Sequence, residues 1–179
     1  EIDHPATQAR KRAILDEAGA DSPARYVAWN FESDPLHELP ARLRSLGHDP
    51  GAPTLTLWEG VTMYLSEEAI EGTVAAVGAF SAPGSRLAFN YTRRDLIHRP
   101  GILGTLLSTV VRSVGEPLRW GWDPDALPSW LDARGFRILR DSTFAELAQH
   151  LMPGAYSRVI SSVGRRLAVA ERMAVAGVR

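Results

Sequence analysis

The chain has no cysteine among its 179 residues. That excludes disulfides, thiolate metal sites and a cysteine nucleophile, and it fits a reducing, cytoplasmic setting. Histidine is sparse, at positions 4, 37, 48, 98 and 150, with no pair four residues apart and no HExxH. A zinc site of the usual kinds has nothing to build on, so no metal is expected. Net charge is low as well. At −1, the chain offers no electrostatic footprint for nucleic acid or an anionic membrane surface. No apolar run reaches the roughly 18–20 residues that a membrane-spanning helix needs, and no stretch reads as a signal peptide. There is no GxGxxG, and Gly60, Gly101 and Gly104 do not form even a GxG. A dinucleotide-binding dehydrogenase therefore has no footing. Internal repeats and low-complexity tracts are also missing.

What remains is ordinary globular composition, 45% hydrophobic and 23% charged, at a length that suits one domain. The most informative stretch is Thr54 to Leu65, TLTLWEGVTMYL. Its first five residues are β-branched or bulky and predict a buried strand. Glu59 stands where that strand ends, followed by Gly60. Ser66-Glu67-Glu68-Ala69 then reads as a helix cap with acids in the first turn. In open α/β sheets, ligands sit beyond the carboxyl ends of the strands. A carboxylate at that edge is a candidate ligand contact.

The same alternation runs through the first half. Glu1-Ile2-Asp3 reads as the end of a strand, and Pro5 suits the first turn of the helix that follows. Ala6 to Ala18 predicts that helix, with Ala9, Ala13 and Ile14 as its apolar stripe and Gly19 as its stop. Ala24 to Trp29 reads as the next strand. Leucines at 36, 39, 43 and 46 mark a helix that becomes regular near Pro40. After the Thr54 strand, Ser66 to Phe80 is a helix and Ser85 to Tyr91 a strand. This β-α-β-α-β-α-β order predicts an α/β fold, a doubly wound, mostly parallel sheet.

Residues 92–122 interrupt the rhythm with an apolar helical segment at Ile102 to Val114 and a loop holding Trp120 and Trp122. Asp125 to Arg134 predicts a helix. Phe136 to Asp141 alternates as a half-exposed strand, and Thr143 to Met152 is again helical. Met173 to Val178 reads as the last strand.

Two stretches together resemble a known family. E-G-V-T-M-Y-L at Glu59 to Leu65, and E-I-D-H-P-A-T-Q-A-R-K-R at Glu1 to Arg12, resemble the leucine carboxyl methyltransferase-like family. These are class I S-adenosylmethionine-dependent methyltransferases, including a bacterial O-methyltransferase branch. The resemblance implies a Rossmann-like sheet with an antiparallel C-terminal edge, and S-adenosyl-L-methionine as cofactor. Residues 1–179 would be the C-terminal two-thirds of one methyltransferase domain, with 92–122 as an insert that covers the substrate. The family's Gly-rich turn after its first strand has no counterpart among these residues, so the functional protein is expected to be longer.

Carried over residue by residue, Asp3 falls on the family's ribose-binding acid. Asn30 and Phe31 fall on the pair flanking the adenine, where many members have Asp and Leu. Glu59 falls on the acid near the methionine part. Tyr91, Arg94, Trp120 and Trp122 are the candidates for contact with a small-molecule methyl acceptor, and Arg94 would pair a carboxylate. The implied activity is methyl transfer to a carboxylate or hydroxyl oxygen, with no nucleic-acid or membrane partner. The alternative is a non-catalytic α/β binding module derived from the same family.

Overall fold

The structure is a computed structural model that describes residues 1–98, 118–152 and 164–174. The chain opens with β1 (Ile2–Asp3), α1 (Pro5–Glu17) and β2 (Val27–Ala28). A short helical turn, Leu36–Glu38, leads into α2 (Leu39–Ser45), which is followed by β3 (Leu55–Trp58). Another helical turn, Thr62–Tyr64, precedes α3 (Glu67–Phe80), β4 (Arg86–Thr92) and α4 (Arg94–His98). The remaining elements are α5 (Leu127–Asp132), β5 (Phe136–Thr143), α6 (Phe144–Leu151) and β6 (Arg165–Arg172).

The strands divide into two sheets. β1 and β2 form a parallel pair, and the second sheet runs β3-β4-β6-β5. β3 and β4 are parallel, with Trp58 opposite Phe89. β6 is antiparallel to both β4 and β5. The expected mostly parallel order with an antiparallel C-terminal edge is therefore present. β3 is an edge strand of its sheet and carries Leu55 and Leu57 at 63% and 71% exposure, so the Thr54 strand is buried only at Trp58 and not throughout, as its composition suggests.

The core of the larger sheet forms around α3. Ile70, Val74 and Val77 share one buried cluster with Leu87, Phe89 and Tyr91 from alternate positions of β4, and with Ala168 and Ala170 from β6. Full burial of a Phe or Leu side chain contributes about 1.5–3 kcal/mol, so this cluster is the main source of stability. Ser66 caps α3 as its sequence requires, its hydroxyl accepting from the Ala69 N–H at 3.2 Å. A smaller cluster of Val27, Leu39 and Ala76 joins the β1–β2 pair to α2 and α3. Arg134, just past α5, grips Glu71 of α3 through two nitrogens and lies 3.9 Å over the Trp130 ring.

Two expectations are corrected. The last strand among the described residues is Arg165–Arg172; Met173 and Ala174 follow it outside any strand, and residues 175–178 of the expected segment lie outside the described residues. Ala168, Ala170, Glu171 and the arginines favour helix intrinsically. Pairing on both sides, with β4 and β5, overrides that preference. The stripe on α1 is also exposed, with Ile14 at 56%, and the helix buries Gln8 instead. Gln8 donates its Nε2 to the Val27 carbonyl at 3.1 Å, which fixes α1 against β2. The helical segment expected at Ile102 to Val114 lies outside the described residues.

Candidate functional site

The exits of β1 and β2 lie side by side, and the β2 exit is tied to the loop after β3 through Glu32 and Ser66. At the end of β1, Asp3 pairs with Ala28, and its carbonyl accepts the Trp29 N–H at 2.9 Å. Asp3 therefore sits beside the start of the Asn30 loop. Its half-buried carboxylate accepts the His4 N–H at 2.7 Å.

The loop after β2 is built on Asn30. Its Oδ1 accepts the Glu32 N–H at 3.0 Å, and its own N–H donates to Asp34 Oδ2 at 2.7 Å. This side-chain turn closes the loop locally. One lone pair of the Asn30 amide oxygen is therefore already engaged, and a second stays available. Phe31 is half-buried and packs against the main core.

The loop after β3 is held from both sides. Gly60 has φ +73°, a conformation that glycine adopts without strain. Its N–H donates to Asn90 Oδ1 at 2.9 Å, and Thr62 Oγ1 donates to the Asn90 carbonyl at 2.7 Å. Asn90, near the end of β4, is 6% exposed, and its side-chain and main-chain oxygens both accept from this loop. On the other side, Glu32 reaches across from the β2 exit. Its Oε1 accepts the Ser66 N–H at 2.6 Å and its Oε2 accepts the Ser66 hydroxyl at 2.9 Å. Glu59, exposed, lies between the end of β3 and the first of these anchors, Gly60.

The four residues expected to meet an acceptor also come together. Arg94 lies 4.7 Å over the Trp120 ring, and its N–H donates to the Trp122 carbonyl at 3.0 Å. Trp122 packs edge-on against Trp120 and Tyr91, with centroids 5.9 and 5.7 Å away. Trp120 and Trp122 are buried, and among the described residues their indole nitrogens have no hydrogen-bond partner. Tyr91 is not presented as a surface contact. It is fully buried, and its hydroxyl donates to Asp141 Oδ2 at 2.7 Å. Burial and that hydrogen bond push the phenol well above the ordinary tyrosine value. Arg166 Nε donates to Asp141 as well, at 3.0 and 3.1 Å, which completes the set.

Glu32, Asn90, Asp141 and Arg166 were not singled out from sequence. Only Asn90 carries a signal, a lone amide between the run Leu87-Ala88-Phe89 and Tyr91, which must find partners if the strand is buried. Among the described residues, no three His, Asp or Glu side chains are grouped to hold a metal ion. No described helix is long and apolar enough to cross a membrane.

Solved structures share this fold. One from Thermobifida fusca, titled a putative methyltransferase, matches 97% of this chain and 62% of its own, with TM-score 0.60 and 17% identity. The mitomycin 7-O-methyltransferase matches 96% of this chain and 40% of its own, with TM-score 0.57 and 13% identity. The fold is that of the class I S-adenosylmethionine-dependent methyltransferases.

Sequence comparison narrows the class. The leucine carboxyl methyltransferase family model matches residues 1–78. A relative from Mycolicibacterium smegmatis is 43% identical over 88% of this chain and 56% of its own length. One from Streptomyces avermitilis is 33% identical over 70% of this chain and 47% of its own. Both carry the name "Putative S-adenosyl-L-methionine-dependent methyltransferase". The chain belongs to the leucine carboxyl methyltransferase-like family, and it spans about half the length of the curated relatives it matches.

Proposed function

We propose that the chain holds S-adenosyl-L-methionine along the rim where β1, β2 and β3 end, and serves methyl transfer to a carboxylate or hydroxyl oxygen of a small molecule. The observation that carries this reading is the donor set of that rim. Asp3 and Glu59 supply carboxylates at two strand ends, and Asn30 and Phe31 follow a third. Such a set suits the cofactor. Ribose hydroxyls call for a carboxylate acceptor, because charge-assisted hydrogen bonds are the strong ones. Adenine calls for an apolar ring face and an amide. When bound, the cofactor supplies an electrophilic methyl group on a cationic sulfur.

The chain's own part is to bind, orient and exclude water. Asp3 would accept from the ribose hydroxyls. Phe31 would pack against the adenine, and the second lone pair of Asn30 Oδ1 would take the adenine amine. Glu59 would face the methionine end and favour the positive sulfur. Arg94, supported on Trp120, would pair an acceptor carboxylate, with Trp122 and Tyr91 behind it.

Titration calorimetry with S-adenosylhomocysteine tests the cofactor half. Micromolar binding is expected, and silence would favour a non-catalytic binding module of the same fold. Transfer of labelled methyl to a panel of small carboxylic acids and phenols, compared with amines, tests the oxygen acceptor.

A further inference from the structure

We propose that Glu32 is a positioning residue that makes the two halves of the rim respond as one. The inference rests on the cofactor reading above and adds a residue to it. Glu32 is joined at its N–H to the Asn30 side chain, at 3.0 Å. Its carboxylate takes both the N–H and the hydroxyl of Ser66, at 2.6 and 2.9 Å. Ser66 is the cap of α3 and the last residue of the loop that begins with Glu59. The adenine-side turn and the methionine-side loop are thereby coupled through one side chain. Neither can move along the rim without stretching two hydrogen bonds to a carboxylate, the stronger kind.

A third segment joins at the same place. Arg119 Nη1 lies 3.4 Å from Glu32 Oε1, and the Arg119 N–H donates to the Met63 carbonyl at 2.7 Å. The ion pair is half-exposed and contributes little by itself. The backbone bond is what seats the tryptophan loop on the Thr62–Tyr64 turn. Glu32 is therefore placed by its Ser66 contacts, and its charge is balanced by Arg119.

The test compares Glu32→Gln, Ser66→Ala and Ser66→Thr with the unmodified protein. Glu32→Gln keeps the length of the side chain but removes the charge and one acceptor oxygen. S-adenosylhomocysteine binding should weaken about tenfold in Glu32→Gln and Ser66→Ala, the scale of one lost charge-assisted hydrogen bond. Ser66→Thr retains the hydroxyl and should bind as the unmodified protein does. Hydrogen exchange should quicken in Glu32→Gln at both residues 30–34 and residues 60–66, with the melting temperature little changed. Equal affinity in Glu32→Gln and the unmodified protein, or faster exchange at only one of the two loops, would overturn the coupling alone. Silence from the unmodified protein would instead overturn the cofactor reading, and the coupling of its two halves with it.

Discussion

Tyr91 and Asp141, on β4 and β5, meet across β6, with the phenol donating to the carboxylate at 2.7 Å. Arg166 of β6 lies between those two strands and donates to the same carboxylate. The three groups pin the antiparallel edge at the end where β4 stops.

Tyr91→Phe removes one member and leaves Asp141 paired to Arg166. The expected cost is about 1–2 kcal/mol, the loss of one buried hydrogen bond to a charged acceptor. Chemical denaturation would measure it. The pH dependence has a definite sign. Burial, then the bond to Asp141, raises the folded-state pKa of Tyr91, so its contribution is complete below the unfolded value of about 10. It is lost as pH rises beyond that. The stability gap between the natural protein and Tyr91→Phe should hold from neutral pH to about 9 and narrow above about 10. A gap that widens above that pH would contradict the arrangement.

Gly121 sits where the tryptophan loop crosses the end of β4. A Cβ there would stand 2.5 Å from the Thr92 carbonyl oxygen and 3.1 Å from Arg94 Cα. Both are backbone atoms, so no side chain can swing aside. Gly121→Ala should lower stability by about 1–3 kcal/mol, as overpacking does. Because the Trp122 N–H donates to that same Thr92 oxygen at 3.2 Å, the loop should shift as a unit. Altered tryptophan fluorescence together with a lower melting temperature would report it.

The alternation of strand and helix was legible because each element carried its own local cue. Ser66 with Glu67 and Glu68 announced α3, and its apolar positions Ile70, Val74 and Val77 are the ones buried. β6 was not legible, because Ala168 and Ala170 favour helix locally and only the pairing in three dimensions makes them strand. They are fully buried on a strand that is paired on both sides, and neither partner strand is adjacent to them in the sequence. Of the residues at the strand exits, Asp3 and Glu59 stood out in the sequence as acids at strand ends. Glu32 did not, since a glutamate in a polar loop gives no hint of a partner 34 positions away. Long-range partners of surface-type residues are set by how loops are brought together, which no local pattern encodes.

Asn90 offers a separate handle on the Glu59 loop. Its side chain satisfies the Gly60 N–H, and Gly60 holds the turn that presents Glu59. Asn90→Ala leaves that N–H to water or unpaired, at a cost of about 1–3 kcal/mol. Asn90→Asp keeps the acceptor and should recover most of the loss. Affinity for S-adenosylhomocysteine should follow the same order, natural protein, then Asp, then Ala. Equal affinity in all three would show that Glu59 is held without Asn90.

The two acids themselves give the most direct test of the site. Asp3→Asn and Glu59→Gln keep shape and remove charge. Asp3 also accepts the His4 N–H at the start of α1, a bond that the Asn amide oxygen can still make. Glu59 is exposed, so its replacement should leave the melting temperature unchanged. Each substitution should weaken S-adenosylhomocysteine binding by about ten- to a hundredfold, the scale of one charge-assisted hydrogen bond lost to a ligand. The two variants should differ with a smaller probe. Adenosine lacks the methionine part, so Asp3→Asn should still weaken its binding, whereas Glu59→Gln should not. Equal losses with adenosine would mean that Glu59 does not face the methionine end, and no loss with either ligand would remove both acids from the site.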